Sequence, residues 1–105
     1  MSDTDRRMPF TFGEATHTAL VTTYKDGTDN VAIQTFDEDG IPYCRVTTNP
    51  PHQLKDGLIV LRDDYEDVIG TTRDALINAG VIELVVPRQQ VPIGYTSGTV
   101  YRIVI

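Results

Sequence analysis

Hydrophobic and polar residues alternate with a period of two in most segments of this 105-residue chain. Such alternation, rich in β-branched and aromatic residues, is typical of half-buried β-strands. The pattern predicts strands over residues 18–24, 30–36, 41–48, 58–61, 81–86, 91–95 and 99–105, with a turn at 96–98 inside the last hairpin.

One segment has helical spacing instead. The apolar and small residues at positions 68, 69, 72, 75, 76 and 79 share one helix face, and Gly80 follows where a left-handed cap belongs. Two capping-box spacings compete for the start of the helix: Asp63 with Glu66, and Thr71 with Asp74. The stretch RDDYED, residues 62–67, is therefore interpreted as the approach to a helix or its first turn.

The order of these elements predicts an α+β fold with a mainly antiparallel sheet. The fold would comprise an N-terminal three-strand meander, further short strands and one short helix, in a single domain of residues 1–105. Residues 1–13 are polar and mixed, so we expect a mobile or loosely docked tail in which Phe10 and Phe12 can dock.

The sequence also predicts a register for the hairpin between the second and third strands. Residues 37–40 (DEDG) form a four-residue turn with Gly40 in the left-handed position, which places Phe36 opposite Ile41. Cys44 then lies opposite Ile33, on the core face. That face carries Val31, Ile33, Cys44 and Val46, and the other face carries Gln34, Phe36, Ile41, Tyr43 and Arg45.

Charge narrows the classes of partner. The net charge of −6 argues against direct binding of DNA, RNA or an anionic membrane, each of which requires a cationic face. It favours a basic protein or protein complex. Cys44 is the single cysteine, and no apolar run approaches the roughly 20 residues that cross a bilayer. We therefore expect a cytoplasmic protein. Only two of the nine basic residues are lysine, and with abundant Asp, Thr and Val this composition favours a bacterial cell, with the chain encoded by the cell or by a virus.

No pattern of residues indicates an active site. RDDYED and DEDG lack the alternating oxygen ligands, sixth glycine and twelfth glutamate of a calcium loop. His17 and His52 lie in separate segments without metal-ligand spacing, and we expect both to be surface or loop histidines. Cys44 is interpreted as a small core residue. We expect no catalytic residue, no metal and no cofactor.

The carboxylates remain as candidates for binding. Acids spaced along a surface can dock a basic protein or imitate nucleic-acid phosphate, although acidic clusters are usually solvated faces. Apolar side chains on the hairpin could instead insert into a groove of a partner. The candidate docking residues are Asp37, Glu38, Asp39, Asp63, Asp64, Glu66, Asp67, Phe36, Ile41 and Tyr43.

The strings NVAIQTFDEDGIPYCRVTTNPP, RDDYED and ALINAGVIE carry a resemblance. Over residues 18–105 the chain resembles a small bacterial domain family of unknown function, common on plasmids, phages and integrative elements. The matching positions are Ala32-Ile33-Gln34, Gly40, Pro42-Tyr43, Val46-Thr47, Asn49 and Ala79-Gly80, whereas Asn49-Pro50-Pro51 and Asp64-Tyr65-Glu66-Asp67 depart from the family pattern. The resemblance implies a mobile-element setting, in which small acidic proteins often block host defence complexes.

Three functions stay open at this point. The first is an acidic protein-binding module, for instance an inhibitor of a host nucleic-acid-handling complex such as a CRISPR effector. The second is a small enzyme or ligand-binding domain with a site built from loops. The third is an accessory oligomer subunit that adds strands across a sheet edge. A homodimer is compatible with all three.

Overall fold

A computed structural model describes residues 5–24, 30–50, 53–55, 57–63, 68–93 and 96–104. Within these ranges the protein is mainly antiparallel sheet with a single helix, as the alternation predicts. The elements are β1 (Arg6–Phe12), β2 (Ala15–Thr23), β3 (Val31–Phe36), β4 (Pro42–Arg45), β5 (Leu58–Arg62), α1 (Val68–Asn78), β6 (Ile82–Leu84), β7 (Gln90–Ile93) and β8 (Thr96–Ile103).

The first sheet has the order β1-β2-β3-β4, so the meander has four strands and begins earlier than predicted. The expectation of a tail is wrong for residues 6–12, which pair along their whole length with β2. Met8, Phe10 and Phe12 alternate with polar residues and pack against the core, and this short period-two pattern overrides the polar composition. Gly13, with φ of 63°, begins the two-residue loop that connects β1 to β2.

The β3–β4 hairpin differs from the predicted register by two residues at Cys44 and by one residue at Phe36. Cys44 lies opposite Thr35 rather than Ile33, and Phe36 lies opposite Pro42 rather than Ile41. Ile41 belongs to the loop because its N–H donates to the Asp37 carboxylate (3.0 Å). A shift of two residues preserves the face of Cys44, which is therefore buried, as predicted.

A β-bulge accompanies this shift. The pairing changes between Thr35 and Phe36, so Tyr43 is an additional residue in β4 between the two paired positions Pro42 and Cys44. The bulge brings the Tyr43 ring to the side of the sheet that carries Phe12 and His17. Strict alternation would have placed Tyr43 on the opposite face, with Arg45.

The second sheet is built around β8. One edge of β8 pairs with β5, and the other edge pairs with β6 and then with β7. The predicted turn at residues 96–98 is wrong, because Ile93 pairs with Thr96 and residues 96–98 belong to β8. Pro92 interrupts the alternation of β7, so the local sequence does not indicate that β8 begins as early as Thr96.

Among the described residues the two sheets meet at one backbone bridge, Thr48 to Val60, and they share a core. Thr48, just beyond β4, donates its N–H to the Val60 carbonyl of β5 (2.8 Å). Beneath this junction the first sheet contacts β5 and α1, and α1 in turn contacts β6. The shared core contains Phe10, Ala19, Val21, Ile33, Cys44, Val46, Ile59, Leu61, Leu76, Val81, Ile82 and Tyr101.

Helix α1 ends as the sequence predicts. Its described residues begin at Val68, before the predicted Thr71–Asp74 start, and residues 64–67 of the other predicted start lie outside the described residues. Gly80 has φ of 76° and donates to the Ile77 carbonyl (3.0 Å), and Val81 donates to the Leu76 carbonyl (3.0 Å). These two bonds form a Schellman motif, closed by the buried pair Leu76 and Val81. Among the described residues no helix is long and apolar enough to cross a membrane.

Gly98 lies where β8 passes closest to β5, and we expect replacement with alanine to be destabilising. A Cβ at this position would collide with Val60 and lie 3.1 Å from the Leu61 carbonyl oxygen. We expect the free energy of unfolding to fall by about 1–3 kcal/mol, the usual cost of overpacking. Urea denaturation measures this loss.

A double-mutant cycle tests the cause. The cost of Gly98→Ala should shrink when Val60 is also replaced with alanine, because the colliding methyl groups are gone. Gly13→Ala is the matched control, since its cost comes from a positive φ in open space and should add to that of Val60→Ala without coupling. An additive result for Gly98 would contradict the explanation.

Candidate functional site

The predicted docking residues that the structure describes do not form one surface. Asp64, Glu66 and Asp67 lie outside the described residues. The remaining candidates separate into three environments. These are the β3–β4 loop with Tyr43, the outer face of the first sheet with Phe36, and the end of β5 with Asp63.

The β3–β4 loop is an ordered acidic turn. The Asp37 carboxylate accepts hydrogen bonds from the N–H groups of Asp39 (2.9 Å) and Ile41 (3.0 Å). The backbone closes the same loop, because Asp37 donates to the Ile41 carbonyl and Gly40 donates to the Asp37 carbonyl. Asp37 is therefore a structural residue of the turn. Glu38 and Asp39 are exposed at its tip.

Two apolar side chains stand beside these acids. Ile41 is 57% exposed and Tyr43 is 40% exposed. Burial of such side chains is favourable, and exposed large apolar residues beside polar ones are frequent in protein interfaces. We name Glu38, Asp39, Ile41 and Tyr43 the hairpin surface.

Tyr43 is held in place by rings from β1 and β2. Its ring makes T-shaped contacts with Phe12 (5.4 Å between ring centroids, 68° between ring planes) and with His17 (5.0 Å, 81°). Phe12 and His17 stack on each other at 4.6 Å, and Phe10 packs against both. Such aromatic contacts favour a fixed geometry, so Tyr43 presents its exposed portion on a rigid support.

His17 is the residue that sequence reasoning placed wrongly. It is buried, with 6% of its surface exposed, rather than a surface or loop residue. Its Nδ1 atom has no hydrogen-bond partner in the described structure. The signal for its burial is the alternation of Phe10 and Phe12 on the facing strand, which is readable only when residues 6–12 are recognised as a strand. His52 lies outside the described residues.

Phe36 belongs to the outer face of the first sheet and not to the hairpin surface. It is half-buried, and the Arg7 guanidinium lies over its ring at 5.5 Å from the centroid. A cation over a ring face is favourable and covers part of the ring. Phe36 is therefore partly shielded from a partner that approaches Ile41 and Tyr43.

Asp63 ties the end of β5 to β7 and β8. Its carboxylate accepts hydrogen bonds from Gln90 (3.0 Å), Ser97 (2.7 Å) and Thr99 (2.5 Å). The capping box that its spacing suggested involves residues 64–67, which lie outside the described residues. Arg88 lies 3.8 Å from the same carboxylate and also donates to Thr99.

These contacts determine the protonation of Asp63. Partial burial raises the pKa of the carboxyl, but the hydrogen bonds from Thr99, Ser97 and Gln90 and the charge of Arg88 lower it further, so its pKa lies below the ordinary value. Asp63 is thus a stabilising carboxylate within the fold rather than a group that is open to a partner.

Cys44 lacks the surroundings of a nucleophile. Burial raises the pKa of the thiol, and the hydrogen bond with Thr72 lowers it only in part. A raised pKa keeps the sulfur protonated at neutral pH and therefore unreactive. In the described ranges no three His, Cys, Asp or Glu side chains cluster in a way that could hold a metal ion.

A groove lies between α1 and the β1–β2 turn. Its volume is about 450 Å³. The helix contributes three polar side chains to it, Thr71, Asp74 and Asn78, and small residues form the rest of the wall. The lining consists of Thr11, Gly13, Thr71, Asp74, Ala75, Asn78 and Ala79.

No protein-family model, curated protein or solved structure matches this chain. The candidate sites are therefore defined by their own geometry.

Replacement of Asp63 tests its role in the fold. Asp63→Ala should lower the free energy of unfolding at neutral pH by about 1–3 kcal/mol, because the buried Thr99 hydroxyl loses its charged acceptor. Asp63→Asn should also be destabilising, since it loses the charge and one acceptor oxygen. Denaturant unfolding measures both losses.

The pH dependence has a defined sign. The pKa of Asp63 is lower in the folded state than in the unfolded state, where it is about 3.9. The stabilisation is therefore fully present above about pH 4 and is lost as the pH falls through the folded-state pKa. Wild type and Asp63→Asn should converge in stability at low pH. Glu83→Gln, at the exposed pair with Arg102, is the control that should cost little. A gap that is unchanged at the lowest pH of the folded protein would contradict this assignment.

Proposed function

We propose that this protein is a protein-binding module that docks a basic partner through the hairpin surface. The observation that carries the proposal is the juxtaposition of exposed Ile41 and Tyr43 with the exposed acids Glu38 and Asp39 on one ordered loop. A central apolar contact with charges beside it is the usual composition of a protein interface.

The two kinds of side chain have separate roles. Ile41 and Tyr43 supply the apolar anchors, whose burial governs how slowly the complex dissociates. Glu38 and Asp39 steer a positively charged surface toward the hairpin and so increase the association rate. The net charge of −6 acts in the same direction at low ionic strength.

The support beneath the hairpin surface strengthens the proposal. The loop is closed by the Asp37 carboxylate, and the Tyr43 ring rests on Phe12 and His17. A surface that is ordered before binding loses little conformational entropy on association. The hairpin surface is therefore suited to recognition by a preformed shape.

The partner belongs to the class of basic proteins, and nucleic-acid-handling complexes are rich in such surfaces because they neutralise phosphates. The resemblance to a mobile-element family supports a host defence complex, such as a CRISPR effector, as the partner. In that setting the hairpin would insert into a basic channel, with Glu38 and Asp39 in the place of phosphates.

Capture from a bacterial lysate tests the proposal when it is combined with matched variants. The immobilised wild-type chain should retain a basic protein that Ile41→Ala/Tyr43→Ala does not retain. We expect the double variant to raise the dissociation constant by about tenfold or more, as truncation of interface anchors does. Val86→Ala is the control, because Val86 is 83% exposed and lies outside the hairpin surface.

Association kinetics with the captured protein separate the roles of the two groups. Glu38→Lys/Asp39→Lys should slow association at low salt and flatten its salt dependence, while the dissociation rate changes less. A partner that binds the apolar double variant and the lysine double variant as well as wild type would overturn the proposal.

The groove beside α1 favours a second candidate, a small-ligand-binding domain. Concave sites with a few convergent polar groups are the usual ligand sites of proteins. NMR titration with a fragment library should then shift the amide signals of Thr71, Asp74 and Asn78, and Ala79→Leu should suppress the shifts by narrowing the groove. Shifts confined to residues 38–43 would instead favour the hairpin surface.

A further inference from the structure

The outer face of the first sheet carries a row of four side chains across all four strands. Arg7 of β1 pairs with Leu20 of β2, Leu20 pairs with Gln34 of β3, and Gln34 pairs with Arg45 of β4. Cross-strand partners share a face, so the row begins and ends with a guanidinium. The Cα atoms of the two arginines are separated by three strand spacings, about 14 Å across the sheet.

Both guanidinium groups are held over aromatic rings. Arg7 lies over Phe36 at 5.5 Å, and Arg45 lies over Tyr24 at 5.9 Å and donates to Gln34 at 3.4 Å. Both arginines are exposed, and within the described ranges neither has a carboxylate partner. A stacked guanidinium keeps donors at its rim and loses little freedom when it binds a carboxylate.

We propose that this face binds a second copy of the chain, with the Glu38 and Asp39 carboxylates of each copy on the Arg7–Arg45 row of the other. Charge complementarity supports this occupant, because the exposed acids of the turn also have no cationic partner in the described part of the chain. The self-association needs no foreign partner, so it goes beyond the proposed function and would stand without it.

The arrangement of charges is self-complementary under a two-fold rotation. Along β3, Gln34 of the cationic row precedes Phe36 by two positions, and Glu38 of the acidic turn follows Phe36 by two positions. A two-fold axis that runs across the strands near Phe36 therefore brings the acids of one copy to the level of Gln34 and Arg45 in the other, with the Arg7 guanidinium beside the axis. An isologous dimer requires this property of its surface. Leu20, which is half-buried, supplies apolar area within the row.

Nucleic acid fits this face less well. The Phe36 and Tyr24 rings are covered by guanidinium groups, so they offer no open face for base stacking. The net charge of −6 also repels an approaching polyanion. Between two copies the repulsion of the net charges is screened beyond about 10 Å, so the local charge patterns decide the contact.

Mixing two oppositely altered variants tests the dimer. Wild type should show a concentration-dependent monomer–dimer equilibrium in sedimentation velocity. Arg7→Glu/Arg45→Glu and Glu38→Arg/Asp39→Arg should each raise the dimer dissociation constant by at least tenfold, because every contact then joins like charges. An equimolar mixture of the two variants should dimerise again, since each contact regains opposite charges in the heterodimer.

Controls separate this result from misfolding and from bulk charge. Arg73→Glu on α1 makes the same change of charge as each substitution in Arg7→Glu/Arg45→Glu but should leave the dimer intact. Far-UV circular dichroism and the melting temperature identify folded variants, and Arg7→Gln/Arg45→Gln replaces the glutamate variant if that one is unfolded. Both charge-altered variants keep a negative net charge, so general attraction cannot restore the dimer.

The proposal is overturned by a wild-type chain that stays monomeric up to its solubility limit. It is also overturned by a dimer that either variant leaves intact, or by a mixture that does not dimerise. Because the arginine variant leaves the hairpin surface unchanged, its binding to a captured basic partner reports on the proposed function separately.

Discussion

The pairing of both edges of β8 is the constraint on which the second sheet depends. β5 adds to one edge and β6 and β7 to the other, so segments from 58 to 93 converge on a strand that follows them all in sequence. Without β8 their backbone groups would lose their ladder, and β5 also carries the bridge to Thr48 of the first sheet. Gly98 and the Asp63 carboxylate act at the same end of β8: one permits its close approach to β5, and the other holds β5, β7 and β8 together.

The bulge in β4 connects the core to the proposed docking surface. An alternating β4 would direct Tyr43 and Arg45 to the same face. The additional residue instead sends Tyr43 toward the Phe12–His17 stack and leaves Arg45 on the outer face. The hairpin thus separates an apolar and acidic surface at its tip from a cationic row at its base. Both proposals depend on this separation, which a regular hairpin would not produce.

Local chemistry made part of this fold predictable. The end of α1 follows from Gly80, and the burial of Cys44 follows from alternation, because the register error was an even number of residues. The role of Asp63 could not be predicted, since its three donors come from residues 27 to 36 positions later in the chain. Burial of His17 required a strand that composition had assigned to a tail. Partners distant in sequence determined the role of Asp63, whereas His17 depended on Phe10, its partner in the same hairpin.

The distribution of charge also limits what net charge can predict. A value of −6 describes the chain as a whole, yet the outer face of the first sheet presents Arg7 and Arg45 with no carboxylate partner among the described residues. Recognition acts over distances near the screening length, where the local arrangement decides the sign of the interaction. Since Glu38 and Asp39 serve both proposed contacts, a hairpin that is engaged by a second copy is closed to a basic partner. Dimerisation and partner binding would then oppose each other, and the balance would follow protein concentration by mass action.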